Sequence, residues 1–423
     1  MNATAAPPPP KPRDLRLDFF RGIAMFIIFT AHTPGNIWTL WIPARWGFSD
    51  ATEIFVFCSG MASAIAFGAV FADRSWWLGT ARIAHRVWQV YWAHVVVFIV
   101  IAAMSVTFDR VLGTDGTYVG KLNLFPFFND PMPQLVGLLT LTYVPNYFDI
   151  LPMYLVILAM VPVIMALQSV DLRLAIAFSV GLWALVSQPW LAVLDVPVFT
   201  ALNPPAAPFS DRITWFFNPF CWQLIFFTGF AFMRGWLKPP PVRTWLIVLS
   251  AAFLVFAFFV DRDGVPARRL YEAVPALAPL QAMVQVIQGE IGPLLSKTFF
   301  GLFRFVHFLA LAYLAWIIVG EGGRRLAGGG LWGHFVAIVR KVGQQSLATF
   351  LAGLVLARFM GMVLDLMGRT VLTTAAANLT GYAILIGVAY LVGWYKSTPW
   401  KRRQPKPMAP SAPPARANAV PAE

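Results

Sequence analysis

Residues 14–60 decide the fold, since they hold two apolar runs, DLRLDFFRGIAMFIIFTAH (14–32) and GFSDATEIFVFCSG (47–60), separated by a short segment rich in Pro, Gly and Trp. The first run is predicted to cross a bilayer, yet it carries Asp18, Arg21 and His32. On a helix, Arg21 and His32 share one face about 16 Å apart, and Asp18 lies close to the same stripe. The first helix therefore presents a charged entrance and, deeper in, an imidazole.

The composition indicates a membrane protein. Hydrophobic residues make up 58% of the 423 residues, charged residues 12%, and the mean hydropathy is +0.67, which excludes an ordinary soluble globular protein. The net charge of +13 arises mostly from clusters between apolar runs. Such clusters orient a protein in a lipid bilayer, so we expect no nucleic-acid partner. Cys58 and Cys221 fall within predicted spans, and we expect neither a disulfide framework nor a metal site.

The apolar runs predict an all-α bundle of about ten membrane-spanning helices. The membrane domain covers residues 13–403, and the Pro- and Ala-rich segments 1–12 and 404–423 are expected to be disordered tails. Residues 134–144 are too short to cross and are interpreted as a re-entrant or interfacial segment. The predicted spans are 19–41, 52–72, 87–107, 149–168, 172–194, 216–236, 244–260, 298–319, 346–366 and 373–395.

Lys and Arg are concentrated in the loops on the side that holds both termini. By the positive-inside rule, both termini are expected to be cytoplasmic. The longer connections 108–133, 195–215 and 261–297 then lie on the far side, which is the periplasm if the membrane is a bacterial inner membrane.

His32 is the first candidate for chemistry, because an imidazole accepts a proton from a hydroxyl near neutral pH and ionisable groups inside membranes usually serve a function. Glu53 opens the second span, which we expect to be antiparallel to the first. Its carboxylate would then face His32 and orient or stabilise the imidazole. The alternatives are a histidine that only packs helices together and a Glu in interfacial water.

Arg21, Arg82 and Arg86 are expected at the cytoplasmic mouth, where they would neutralise the phosphates of a nucleotide-like donor. Positive-inside anchoring is the alternative for the two loop arginines, Arg82 and Arg86. Arg21 is better placed because it shares the face of His32.

The stretch TYVPNYFDILPMY (142–154) places Asn146, Asp149 and Tyr154 between prolines at the start of a span. Prolines break helices, so this backbone is expected to line a cavity or the protein interior. Carboxylate, amide and aromatic groups of this kind recognise sugars, although a simple loop is the alternative.

Arg304 and His307 lie three residues apart and would share a helix face. Arg304 is a candidate for holding an acyl carboxylate or a sugar, and snorkelling to the membrane interface is the alternative. Gln344, Gln345 and Ser346 are expected to pack helices together.

These motifs resemble the membrane acyltransferase-3 superfamily, in which the first span carries Arg, ten residues and then His, as Arg21 and His32 do here. In that superfamily the second span often has an acidic residue followed by LFFVLSG. Here Glu53, where many members have Asp, is followed by IFVFCSG. Within this superfamily, the chain is similar to the OpgC family of inner-membrane proteins that succinylate osmoregulated periplasmic glucans. The similarity lies in three segments: LRLDFFRG, GFSDATEIFVFCSG and LTLTYVPNYFDILPMY.

The resemblance implies O-acylation of a periplasmic glucan by a multi-pass protein of the bacterial inner membrane. No cofactor is expected to be permanently bound, and the co-substrate would be acyl-CoA, with succinyl-CoA as the expected donor. Besides acyl-CoA, glucan and bilayer, proteins of glucan synthesis are candidate partners.

In that reading His32 acts as general base, assisted by Glu53, or forms an acyl-histidine intermediate. A transporter or glycan flippase is the alternative from another class. The remaining expected site residues divide into a donor set, Asp18, Arg21, Arg82 and Arg86, and an acceptor set, Asn146, Asp149, Tyr154, Arg304 and His307.

Overall fold

The computed structural model describes residues 14–187, 202–208 and 210–401. The two tails predicted to be disordered, and the end of the predicted span 172–194, lie outside the described residues. Within them the chain is mostly helical, with one small antiparallel hairpin formed by β1 (Pro205–Ala207) and β2 (Ser210–Thr214).

Groups of shorter helices lie between α3 and α7 and between α10 and α13, and longer connections join α1 to α2 (33–50) and α8 to α9 (187–218). Their bounds are α1 Leu15–His32, α2 Ala51–Asp73, α3 Trp76–Leu112, α4 Thr117–Lys121, α5 Phe125–Asn129, α6 Pro131–Thr140, α7 Ile150–Val170, α8 Leu172–Val186, α9 Pro219–Arg234, α10 Thr244–Val260, α11 Val265–Ala273, α12 Ala278–Ile291, α13 Leu302–Val319, α14 Gly330–Gln344, α15 Ser346–Met367 and α16 Val371–Lys396.

Each predicted span overlaps a helix, but not every helix is long and apolar enough to cross a membrane by itself. Among the described residues, six helices are long and apolar enough to cross a membrane: α2, α3, α7, α13, α15 and α16. The number rises to seven if α10 and α11, which are bent by 69° relative to each other, form one span. The fold is therefore an all-α, multi-pass membrane bundle. The count of ten and the cytoplasmic location of both termini stay predictions.

The first helix ends earlier than predicted. Its last residue is His32, whereas the predicted span continued to residue 41. Pro34 disfavours helical geometry at Thr33, and Gly35 adopts a positive φ of 67°. The chain then continues in two short 3-10 helices, Ile37–Trp41 and Pro43–Arg45. His32 consequently lies in the last turn of α1 and not halfway along a span, which corrects the sequence-based expectation.

Helix α14 was not predicted, and it packs directly on α1. Any side chain at Gly22 would collide with the carbonyl of Val339, and one at Gly343 would collide with the carbonyl of Asp18. Small residues allow this close approach of two backbones, as is common between membrane helices. The contact holds the charged first half of α1 against α14.

The core of the bundle includes the contact between α2 and α9. Gly60 of α2 lies against the carbonyl of Phe226, and Gly229 of α9 lies against the carbonyl of Phe57. Trp222, Phe226 and nearby aromatic side chains are fully buried beside this contact. The tight packing places the start of α2, with Glu53, firmly within the bundle.

The short segment 134–144 contains most of helix α6 and the irregular chain that follows it. Helix α6 ends at Thr140, Leu141 has a left-handed φ of 60°, and no regular element follows until α7 begins at Ile150. This irregular segment places Tyr147 beside His32 at the end of α1.

Candidate functional site

His32 has a fixed tautomer at the end of α1. Its Nδ1 lies 2.8 Å from the carbonyl oxygen of Ile28, and because a carbonyl only accepts hydrogen bonds, Nδ1 of the neutral ring carries the proton. The basic lone pair is therefore on Nε2. The residue is partly exposed, and among the described residues only Nδ1 of the ring makes a hydrogen bond.

Tyr147 contacts both His32 and an arginine. Its ring makes an edge-to-face contact with the imidazole, with centroids 5.2 Å apart, while the guanidinium of Arg358 lies 4.0 Å from its centroid. The Tyr147 hydroxyl donates a 2.6 Å hydrogen bond to the carbonyl of Leu354. Its φ of 88° is strained for an aromatic residue and is maintained by these contacts.

Four charged side chains form a network where α2 begins. Arg304 donates two hydrogen bonds to Oε1 of the fully buried Glu53, at 2.9 and 2.6 Å, and lies 3.7 Å from Asp50. Lys297 approaches Asp50 to 2.5 Å. Burial opposes ionisation, but the neighbouring cations Lys297 and Arg304 hold the pKa of Asp50 well below its usual range.

The sequence at this point explains the local fold. Asp50 caps α2 by accepting from Thr52 N, and Glu53 accepts from Asp50 N at 2.8 Å, which forms a capping box. Both Glu53 oxygens are thus engaged by Arg304 and the Asp50 amide. Within the described residues no hydrogen bond joins Glu53 to His32, whose ring is oriented by Ile28 instead.

His307 lies on the same face of α13 as Arg304, as predicted, and contacts the same loop. The Ser49 hydroxyl is 2.7 Å from its Nδ1, the Ser49 amide donates to that nitrogen at 3.2 Å, and its ring lies against Gly47. Arg304 and His307 together fasten the segment before α2 to α13.

Asp18 and Arg21 lie at the opposite end of α1. Gln344 donates to Asp18 at 3.2 Å, and Arg21 donates to the Ser346 hydroxyl. The expected packing role of Gln344 and Ser346 is confirmed. Since Arg21 is about 16 Å from His32 along the axis, the structure does not bring this pair into the His32 cluster.

A cavity of about 320 Å3 lies between α2, α3 and α7. Arg82 and Arg86 line it together with Tyr154, so the structure groups Tyr154 with the two arginines and not with the other expected acceptor residues. Arg82 also lies 5.9 Å from the centroid of the Phe67 ring. The other lining residues are Ala62, Ser63, Ala66, Phe67, His85 and Gln89.

Asn146 is exposed, and Asp149 is partly buried just before α7. Burial raises the pKa of Asp149 to about 6. Both residues flank Tyr147, which is the residue of this stretch that contacts His32.

Sequence reasoning missed Tyr147, Arg358, Asp50 and Lys297. Arg358 carried a signal, because a basic residue within a span is unusual, and Asp50 starts the capping-box pattern Asp-Ala-Thr-Glu. No local signal marked Lys297, whose partner Asp50 is 247 positions away.

Comparison with known proteins identifies a family. No curated protein and no solved structure matches the chain. A family model described as OpgC protein matches residues 13–397, nearly the whole sequence and every cluster above, which confirms the resemblance seen in the motifs. The chain therefore belongs to the OpgC family.

Proposed function

We propose that this protein is a membrane O-acyltransferase that moves an acyl group, with succinyl as the expected group, from acyl-CoA to a hydroxyl of a glucan. Family membership supports a glucan-modifying transferase. The observation that carries the proposal is the Nδ1 contact of His32 with Ile28, which leaves Nε2 as an available base.

In the proposed reaction, Nε2 of His32 removes the proton from the sugar hydroxyl as its oxygen attacks the thioester carbonyl. The new C–O bond forms, the C–S bond breaks, and the CoA thiolate takes the proton back from the imidazolium. An acyl-histidine route uses the same nitrogen as nucleophile, followed by attack of the sugar hydroxyl on the acyl-imidazole. Both routes require Nε2.

The cavity between α2, α3 and α7 is the proposed donor site. Arg82 and Arg86 supply positive charge for phosphates, and Tyr154 lies on the segment that also carries Tyr147 beside His32. Helix α3 begins at the end of the bundle where α1 begins. With both termini in the cytoplasm, acyl-CoA would enter from that compartment and the glucan would meet His32 from the periplasm of a bacterial inner membrane.

The principal experiment replaces His32 with Gln and measures succinylation of glucans by mass spectrometry at equal membrane protein levels. The matched control is His334→Gln, because His334 makes the same Nδ1 contact with the carbonyl four residues earlier, also at 2.8 Å, but is exposed on α14. We expect His32→Gln to abolish transfer and His334→Gln to retain it. Full succinylation by His32→Gln would refute the mechanism.

A second measurement separates a transferase from a transporter or flippase. A protein that binds acyl-CoA is stabilised by it, by an amount that grows with the logarithm of the ligand concentration above Kd, so thermal unfolding in detergent should shift upward with CoA. Arg82→Ala should reduce this shift. Absence of any shift, together with directional glucan movement in vesicles, would instead indicate transport.

A further inference from the structure

Arg358 is a cation within the membrane-spanning helix α15 that lacks an anionic side chain beside it. In the part of the chain that the structure describes, no carboxylate lies within 4.0 Å of its guanidinium. Arg304 and Arg369 differ, because they pair with Glu53 and Asp365 at 2.6 Å. The guanidinium of Arg358 lies 4.0 Å from the centroid of the Tyr147 ring, and its Nε is buried without a hydrogen-bond partner.

A charge of this kind is costly in a membrane helix unless it is paired. Contact with an aromatic face returns only part of that cost. The missing counter-charge is therefore best supplied by a ligand that carries an anion into the site.

The space next to Arg358 favours a thin anion. It lines a cleft with Lys121, Asp365, Tyr118 and Met362, whose volume is about 10 Å3, enough for one water-sized group. A sugar ring does not fit there, whereas a carboxylate that binds Arg358 would need to place only one of its oxygens in this space. Asp365 is already paired with Arg369 and Lys121, so the surroundings of the cleft are net positive.

Arg358 and His32 contact the same side chain. The Tyr147 ring lies 5.2 Å from the imidazole, centroid to centroid, and its centroid lies 4.0 Å from the Arg358 guanidinium. A dicarboxylic acyl chain has three C–C bonds of about 1.5 Å each between its carboxyl carbons. Such a chain, with its thioester carbonyl beside Nε2, would pass Tyr147 and direct its free carboxylate toward Arg358.

We propose that Arg358 is a specificity-determining residue that binds the distal carboxylate of a dicarboxylic acyl group such as succinyl. This inference rests on the proposed function. The sequence suggested Arg304 as the residue that holds an acyl carboxylate, but Arg304 is occupied by Glu53 and Asp50. Arg358 is the arginine near His32 whose charge is available.

The test compares succinyl-CoA with butyryl-CoA, in which a methyl group replaces the carboxylate, using purified protein and glucan acceptor. For Arg358→Gln we expect the ratio of succinyl to butyryl kcat/KM to fall about 100-fold, as when one partner of a buried charge pair is truncated. Butyryl transfer should persist. Arg110→Gln, an exposed arginine at the end of α3, is the control and should leave the ratio unchanged.

Arg358→Lys keeps the charge and covers the case in which Arg358→Gln does not fold. It should lower succinyl transfer about tenfold, because lysine lacks the bidentate geometry of guanidinium, with butyryl transfer retained. Equal loss for both donors, or an unchanged ratio in either variant, would overturn the assignment. A wild-type protein that transfers both acyl groups equally well would overturn the role of Arg358 alone. A wild-type protein that transfers no acyl group would contradict the proposed function itself.

Discussion

Replacing Arg304 with Met tests the charge network at the start of α2. The side chain of Arg304 is 11% exposed and Glu53 is fully buried, so the substitution leaves a buried carboxylate whose main partner is the Asp50 amide. Removing one partner of a buried ion pair costs about 3–5 kcal/mol of unfolding free energy. Asp50 loses a second cation at 3.7 Å but keeps Lys297.

The double variant Arg304→Met with Glu53→Gln isolates the interaction. Glutamine retains an oxygen that accepts from the Asp50 amide but carries no charge, so the uncompensated buried charge disappears. We expect the double variant to be more stable than the sum of the single losses predicts, by about 2 kcal/mol, within the range for contacting residues.

The assay is the free energy of unfolding of purified protein in mixed detergent micelles. Arg110→Met is the control, since a surface truncation of this type changes stability by about 0.5 kcal/mol or less. Additivity of the two single variants to within about 0.5 kcal/mol would refute the view that Arg304 and Glu53 stabilise the fold as a pair.

Two further predictions concern packing and pH. Gly60→Ala should lower the unfolding free energy by about 1–3 kcal/mol, because the added methyl group would collide with the carbonyl of Phe226. The control is Gly387→Ala, which should leave the unfolding free energy unchanged because nothing lies within 4 Å of the added methyl group. Equal effects of the two substitutions would contradict the packing argument. Burial raises the pKa of Asp149 from 3.8 to about 6, so its contribution to stability is present below the unfolded value and is lost as pH rises through about 6. Between pH 3.8 and about 6, the thermal midpoint of the wild type should therefore decline more than that of Asp149→Asn. Parallel profiles of midpoint against pH would show that Asp149 does not cause the decline.

Much of the helical layout could be predicted from the sequence. Apolar segments are driven out of water, and the position and length of each one can be read from consecutive residues. The span 244–260 has the bounds of α10, and the predicted starts of α2, α7 and α8 lie close to the observed ones. His32 was identified as a candidate for chemistry from its position in an apolar run alone. The end of α1 was misjudged because the 3-10 helix after Gly35 is also apolar.

The sequence by itself predicted which segments are apolar enough to enter a membrane, and it marked His32, at the end of one of them, as a candidate for chemistry. Only the tertiary structure decided the partners: Arg304 with Glu53, 251 positions apart, Arg358 with Tyr147, and α14 on α1. The physical reason is that the lipid-facing and protein-facing surfaces of membrane helices are both apolar. Hydropathy therefore cannot predict which helix faces pack against each other. Charges within the bundle acquire their roles only when distant helices bring a partner, or leave one to be supplied by a ligand.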